Sequence, residues 1–265
     1  MLIVAERINA SRKAIRSALE RLDAAVIQTE ARDQTTAGAK YIDVNGGTFP
    51  GREPELLSWL VEVAQEATSL PLCLDSSDPL ALAAALPKVK QSPPMINSIS
   101  LEGARFTDVL ALARDYKAKL IALCQGEGHP ATTTEAKAGL ASQLIDRLTD
   151  GGIALDDIYV DPLVFPIATD PHSAAATLKA IGEIMQRYPG VHTICGLTNV
   201  SHGLPARKLM NRTFLVAAIS HGLDAVIADP TDPALMAAIL AGEALIGRDE
   251  YCMDFIEGFQ IGKLA

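Results

Sequence analysis

Apolar and polar positions alternate along the chain in two kinds of segment. Short apolar, β-branched runs of strand length are separated by longer amphipathic segments rich in Ala, Leu, Glu and Lys. This alternation is the pattern of parallel strands joined by crossover helices. The eight apolar runs lie at residues 2–9, 40–46, 70–77, 94–100, 119–125, 157–164, 192–199 and 225–230.

The spacing of these runs predicts how the strands are arranged. Successive runs begin about 24 to 38 residues apart, which is the length that one strand, one helix and two short loops occupy. Eight such units predict an α/β fold, a (β/α)8 TIM barrel. Because the 265 residues contain no linker or low-complexity stretch, we expect a single domain over residues 1–265. A doubly wound open sheet is the alternative.

Composition excludes several classes of function. The net charge of −9 comes without a basic stripe, which disfavours a nucleic-acid surface. No apolar run is long enough to span a membrane, and Glu6 and Arg7 come too early for a signal peptide, so we expect a cytoplasmic protein. The four cysteines form no C-x-x-C pair, which indicates reduced core residues rather than zinc ligands or disulfides.

Polar side chains stand at the end of each predicted strand, and in such a barrel these ends face the pocket. A backbone cap can explain any one of them, but a ring of buried carboxylates and amides has acceptors that the protein alone would not satisfy. The pattern therefore predicts a ligand that supplies hydrogen-bond donors. The residues are Glu6, Asn9, Asp43, Asn45, Asp75, Asn97, Gln125, Asp161, Asn199 and Asp229.

A pterin fits this donor requirement. Its pyrimidine edge presents a 2-amino group beside a ring N–H, a fork that a carboxylate accepts with both oxygens, and an Asn amide can donate to the acceptors on the same edge. A sugar would also use Asp and Asn, but sugars commonly stack on aromatic rings, and only 5% of this chain is aromatic.

Other barrel chemistries are less compatible with the sequence. Lys40 and Lys119 begin their strands, at the wrong end of the barrel for a Schiff base. We predict no metal site because the histidines are scattered, although Mg²⁺ held by Asp43, Asp75 and Asp161 is an open alternative. The histidines are His129, His172, His192, His202 and His221.

The strand-end motifs as a set resemble one enzyme family. "AERIN", "YIDVN", "LCLDSS", "MINS", "YVDPL", "GLTNVS" and "NRTFL" occur in this order between residue 2 and about residue 255. They are similar to motifs of the methyltetrahydrofolate:corrinoid (iron–sulfur) protein methyltransferases. These enzymes belong to the wider pterin-binding group, which includes dihydropteroate synthase.

The resemblance implies a set of pterin-binding residues. Asp75, Asn97 and Asp161 would hold the pterin edge, with Asp161 accepting the fork of the 2-amino group and N3–H. Asp43 would help to shape the same pocket.

The resemblance also implies residues near the reacting nitrogen. Asn199 would sit near N5, which carries the methyl group, and would stabilise its protonated state, while Asp75 would belong to the network that brings the proton. Gly196 is grouped with the substrate-binding residues, and Arg207 would contact or shield the substrate. Dihydropteroate synthases resemble this pattern but place a Lys where Asn199 stands, which favours methyl transfer here.

The family further implies a homodimer, with methyltetrahydrofolate or tetrahydrofolate as substrate and a corrinoid (cobalamin) carried by a partner protein. Two alternatives stay open: pterin condensation of the dihydropteroate synthase type, and a non-catalytic folate-binding subunit. Residues 126–137 are typical of a mobile lid or partner-contact loop. The corrinoid partner, the upstream methyl donor and the direction of transfer are left undefined.

Overall fold

The computed structural model describes residues 1–127 and 130–264, and within them eight strands form one sheet. All strand pairs are parallel, and their spatial order is β7-β6-β5-β4-β3-β2-β1-β8. The strands are β1 (Leu2–Asn9), β2 (Tyr41–Asn45), β3 (Leu72–Asp75), β4 (Met95–Ile99), β5 (Lys119–Leu123), β6 (Ile158–Asp161), β7 (His192–Thr193) and β8 (Ala225–Ala228).

Helices connect the strands and cover the sheet from outside. In the described chain, no helix combines the length and the apolar character needed to cross a bilayer. The α-helices are α1 (Lys13–Arg21), α2 (Ala24–Thr36), α3 (Glu53–Gln65), α4 (Pro79–Ala85), α5 (Gly103–Tyr116), α6 (Thr134–Asp150), α7 (Ser173–Arg187), α8 (Arg207–Ser220), α9 (Pro233–Leu245) and α10 (Met253–Gln260). Short 3-10 helices lie at Leu86–Lys88, Leu155–Asp157, Leu197–Ser201 and Glu250–Cys252.

The sheet curls into a nearly closed barrel, which confirms the (β/α)8 prediction over the open sheet. Its two outer strands, β7 and β8, meet through one parallel bridge between Gly196 and Ile227. Next to that bridge, the backbone N–H of Ile227 donates to the carbonyl of Cys195 at 2.9 Å. The predicted strand at 192–199 is shorter than expected, because only His192–Thr193 pairs as a strand and a 3-10 helix follows. We call the contact between β7 and β8 the seam.

Two apolar layers stabilise the barrel. One buried cluster takes a residue from each strand or its continuation, which places it inside the ring; a larger cluster packs helices α1 to α7 onto the outside. Burying a large apolar side chain contributes about 1.5–3 kcal/mol, so these layers dominate the stability of the fold. As the sequence indicated, Cys73, Cys124 and Cys195 are buried free thiols, but Cys252 is exposed because it lies in the turn between the last two α-helices. The inner cluster contains Val4, Tyr41, Cys73, Met95, Ile121, Tyr159, Ile194 and Ala225.

Strand β1 carries a bulge near its carboxyl end. Ala5 pairs with Ile42 and Ile8 pairs with Val44, so that two residues of β1, Glu6 and Arg7, lie opposite the single residue Asp43 of β2. A bulge of this kind re-aims the side chains of the longer strand.

Candidate active site

A cavity of about 640 Å³ opens at the carboxyl ends of the strands, where barrel enzymes place their active sites. Its walls come from the ends of β1 to β4, from the segment after β7 and from the start of α8. The lining residues are Glu6, Asn9, Ser11, Arg12, Asp43, Asp75, Asn97, Thr198, Asn199, Arg207, Lys208, Asn211 and Ile227.

A larger depression of about 780 Å³ lies elsewhere, at the start of β1 and against α9. It is lined by the chain terminus Met1 and by Lys40, which precedes β2, together with α9 residues such as Met236. The amino-terminal ends of barrel strands serve stability rather than catalysis, so we place the reaction in the 640 Å³ cavity.

Asp43, Asp75 and Asn97 form what we call the polar floor of the cavity. Their three strands are adjacent, and Asp75 pairs in register with Asn97. The side-chain amide of Asn97 donates to Asp43 Oδ1 at 3.4 Å, and the thiol of Cys73 also donates to the Asp43 carboxylate. Asp75 accepts a hydrogen bond from the side chain of Asn45. These bonds fix the orientation of both carboxyl groups and leave acceptor capacity directed at the cavity.

Burial makes the floor unfavourable for negative charge. It raises the pKa of Asp43 well above its ordinary value, with the charge of Asp75 as the second cause. Burial also raises the pKa of Asp75 to about 6, although the bond from Asn45 opposes that shift. Ionised carboxylates in such a place attract a ligand that brings its own N–H donors.

Asn199 lies across the cavity, in the 3-10 helix Leu197–Ser201 that follows β7. Its side chain is exposed and has no hydrogen-bond partner among the described residues. The guanidinium of Arg207 donates to the carbonyl of Thr198 at 2.8 Å and to Ser201 Oγ at 3.1 Å. Arg207 therefore lines the cavity and also stabilises the turn that presents Asn199. We call residues 196–201 the Asn199 loop.

Gly196 begins this loop and lies close to the amide. A Cβ atom added there would stand 3.3 Å from Asn199 Nδ2, a tight contact. The backbone N–H of Gly196 donates to the carboxylate of Asp161. The predicted residues Gly196 and Asn199 thus meet in one turn.

Asp161 lies at the end of β6 but does not reach the lining of this cavity in the described structure. Its Oδ1 accepts the backbone N–H of Leu163 at 2.8 Å, in addition to the bond from Gly196. Burial raises the pKa of Asp161 to about 6, whereas those two amides and the charge of Lys137 oppose the shift. The structure therefore brings together Asp43, Asp75, Asn97, Asn199 and Arg207 (five of the predicted residues), with Asp161 behind them.

Several other strand-end residues serve their own loops. Each accepts a hydrogen bond from a backbone N–H two residues further on, so the capping explanation is sufficient for them. Gln125 donates to Glu102 and lines a separate small depression. The capped residues, each with its donor, are Asn9 with Ser11, Asn45 with Gly47 and Asp229 with Thr231.

Glu6 lines the cavity, but the sequence placed it only among the polar strand-end residues and gave it no role of its own. Its pKa is raised to about 7, mainly by burial and next by the negative charge of Asp229, while the positive charges of Arg12 and Arg207 oppose the rise. The signal in the sequence was the adjacent charged pair Glu6-Arg7 inside an apolar strand, which breaks the alternation and marks a bulge.

The described residues contain no group of three or more His, Cys, Asp or Glu side chains arranged to hold an ion. His129 and part of the predicted lid at 126–137 lie outside the described residues.

The fold and the site together define a class of protein: a parallel barrel with a cavity at the carboxyl ends of its strands that is lined by carboxyl and amide side chains. Residues 5–229 match the family described as pterin binding enzymes, and the chain belongs to that family. It is therefore an enzyme of the pterin-binding barrel type, as the strand-end motifs indicated.

Three proteins of known class are similar to this chain over most of its length. The chain is 38% identical to the methylcorrinoid:tetrahydrofolate methyltransferase of Eubacterium limosum, over 100% of this chain and 98% of that protein. It is 32% identical to the methionine synthase of Mycobacterium tuberculosis over 86% of this chain, but it spans only 20% of that longer protein. Dihydropteroate synthase from Xanthomonas albilineans shares the fold, with a TM-score of 0.67 at 15% identity over 92% of each chain.

Proposed function

We propose that the protein transfers a methyl group between N5 of tetrahydrofolate and the cobalt of a corrinoid carried by a separate protein. The observation that carries this proposal is the pairing, in one cavity, of the polar floor with the unpartnered amide of Asn199. Similarity over the full chain to a methylcorrinoid:tetrahydrofolate methyltransferase supports it.

In this proposal the floor binds the pterin. Asp75 and Asn97 accept from and donate to its pyrimidine edge, and Asp43 holds Asn97 in place. Asp161 lies behind the cavity lining, so in this proposal the 2-amino group and N3–H of the bound pterin reach past the floor to its carboxylate, which offers about four acceptor positions, only some of them occupied by the two backbone amides. If Asp161→Asn leaves folate affinity unchanged, its assignment to the fork is wrong.

Asn199 acts on the reacting nitrogen. An unprotonated amine is a poor leaving group, so charge develops on N5 as the N–CH₃ bond breaks. An amide N–H aimed at N5 strengthens its bond as that charge develops and lowers the barrier. An amide cannot supply a full proton at neutral pH, so another group must exchange it.

The decisive experiment is methyl transfer by the purified protein in both directions. We expect turnover with methylcobalamin and tetrahydrofolate, and with methyltetrahydrofolate and reduced Co(I) cobalamin, each followed by the change in the corrinoid spectrum. Folate binding without turnover, given both free cobalamin and a corrinoid protein, would favour the non-catalytic subunit. Product from pterin pyrophosphate and p-aminobenzoate would favour the dihydropteroate synthase reaction.

We further propose that the enzyme is a cytoplasmic homodimer. The supporting observation is an apolar surface on the last two α-helices and the turn between them, where Leu245, Tyr251 and Phe259 are 80%, 85% and 74% exposed. A second copy would cover this surface. Light scattering should give twice the chain mass of 28.1 kDa, and Tyr251→Glu with Phe259→Glu should give the monomer. The buried free thiols fit a reducing compartment, which cell fractionation would check.

A further inference from the structure

The bulge in β1 holds Glu6 in a defined position. It removes the backbone N–H of Arg7 from the strand ladder, and the buried side chain of Gln34 accepts that N–H at 2.8 Å. The guanidinium of Arg7 is held by Glu30 at 2.6 Å and by Thr231 at 2.6 Å. Arg7 is thereby tied to α2 and to the loop after β8, while Glu6 lines the cavity. A bulge anchored from two sides is a positioning device.

Glu6 lines two neighbouring cavities. It lines the 640 Å³ cavity together with the polar floor and Asn199. It also lines a second depression of about 220 Å³ that runs past Thr198 towards Asp229 and Asp232. Among the described residues, the Glu6 carboxyl group has no hydrogen-bond partner, whereas Asp43 accepts from Asn97 and Asp75 accepts from Asn45.

The charged groups around Glu6 come from every neighbouring element. Arg12 follows its own strand, Asp43 and Asp75 lie on β2 and β3, Arg207 and Lys208 begin α8, and Asp229 follows β8. Acidic and basic neighbours oppose one another, and burial holds the pKa of Glu6 at about 7, where a carboxyl group both gives and takes a proton at neutral pH.

We infer that Glu6 is the catalytic acid and base of the reaction, exchanging the proton of N5 with solvent through the 220 Å³ depression. This inference rests on the proposed methyl transfer and supplies the proton that Asn199 cannot.

In both directions of methyl transfer, each electron pair and the N5 proton have a defined destination. When folate is methylated, the N5 lone pair forms the bond to the methyl carbon and both electrons of the Co–C bond stay on cobalt. The N5 proton then passes to the Glu6 carboxylate and leaves to solvent. In reverse, the Glu6 carboxyl group protonates N5, the Co(I) electron pair forms the Co–C bond, and the N–C electron pair stays on nitrogen.

The test is the pH profile of methyl transfer between pH 5.5 and 8.5 for three variants. Glu6→Gln keeps the shape but cannot titrate, so we expect kcat/KM at pH 7 to fall about 10²-fold, the lower limit for general acid–base catalysis. Its profile should lose the ionisation near neutrality that the wild type shows, while tetrahydrofolate affinity at pH 7 stays within threefold. Asp229→Asn removes a negative neighbour and should move the ionisation to lower pH. Glu20→Gln, at an exposed position on α1, is the matched control and should keep the wild-type profile.

The outcomes separate the two claims. A Glu6→Gln enzyme that keeps the wild-type ionisation and rate overturns the role of Glu6 and leaves methyl transfer intact. If Glu6→Gln fails to fold, an unshifted profile in Asp229→Asn overturns it instead. Absence of turnover in the wild type overturns the proposed function and this inference with it.

Discussion

The polar floor and the Asn199 loop face each other across one cavity but are built in opposite ways. The floor stands on β2, β3 and β4, which are paired along their length, and Asp43 and Asp75 are fixed there by side-chain hydrogen bonds. The Asn199 loop follows a strand of only two residues and carries an exposed amide. Arg207 and the seam are its main supports.

This difference separates binding from reaction. A planar heterocycle gains affinity when its partners are preorganised, which a fully paired sheet provides. A donor that acts only as the N–CH₃ bond changes adds little to ground-state affinity, so it needs no buried network. In the proposed reaction N5 must also be open to the corrinoid protein, which agrees with the exposed position of Asn199.

We expect the largest effect on the methyl-transfer rate from substitutions of Asn199 in the Asn199 loop. Asn199→Asp keeps the shape but replaces the donor with an acceptor, so the methyl-transfer rate should fall about 10²–10³-fold, as when one oxyanion donor is removed. Single-turnover assays would measure the rate, and folate titration should show a much smaller change. Asn199→Gln, which keeps an amide, should be less impaired than Asn199→Asp. A wild-type rate in Asn199→Asp with saturating partner would remove the assigned role.

Substitutions in the polar floor should instead affect folate affinity more than the rate of methyl transfer. Asp75→Asn leaves ligand donors facing an amide, and the loss of a buried hydrogen-bond partner costs about 1–3 kcal/mol, or roughly 5- to 150-fold in folate affinity. Calorimetric titration with tetrahydrofolate would measure it. Asp78→Asn is the matched control because Asp78 only caps α4, a role that Asn fills equally well. Equal affinities for the two variants would contradict the floor assignment.

Asp75 should also lower the free energy of unfolding of the enzyme when no folate is bound. The pKa of Asp75 is about 6 in the folded protein against an ordinary value of 3.8, so between these pH values the native state binds the proton and the unfolded chain does not. Stability from this group is therefore present at low pH and lost as pH rises through 6. Asp75→Asn should raise the free energy of unfolding at pH 8 by about 2 kcal/mol and change it little at pH 4. Urea unfolding at both pH values checks this, and a gain of equal size at pH 4 would refute it.

We expect the smallest effect from a substitution at Gly196 that crowds the side-chain amide of Asn199. Gly196 has φ −72°, which Ala accepts, but a Cβ there presses on Asn199 Nδ2. Gly196→Ala should lower the transfer rate about tenfold, equivalent to about 1.4 kcal/mol, without lowering the melting temperature. Gly139→Ala places its methyl group in open space on α6 and should be neutral. A fully active Gly196→Ala enzyme would mean that the position of Asn199 is not critical.

All eight strands could be located from the sequence, because β-branched runs at regular spacing have few other structures available. The end of β7 could not be predicted, because Ile194 and Cys195 remain apolar and buried after the strand pairing stops. Strand-end acids and amides predicted the floor, since parallel strands end at one edge. The depth of Asp161 depends on the turn at Leu163, which has a positive φ of 56° that residue types did not indicate.

Closure of the ring by one bridge has a consequence for dynamics. Backbone amides that lack a complete ladder open with a smaller free energy, so deuterium should enter the segment around Cys195 and Ile227 well before it enters β2 and β3. The seam would then act as a hinge beside the Asn199 loop, where the proposal places N5 of the folate. Motion there would widen the entrance for a docking corrinoid while the heterocycle stays in place.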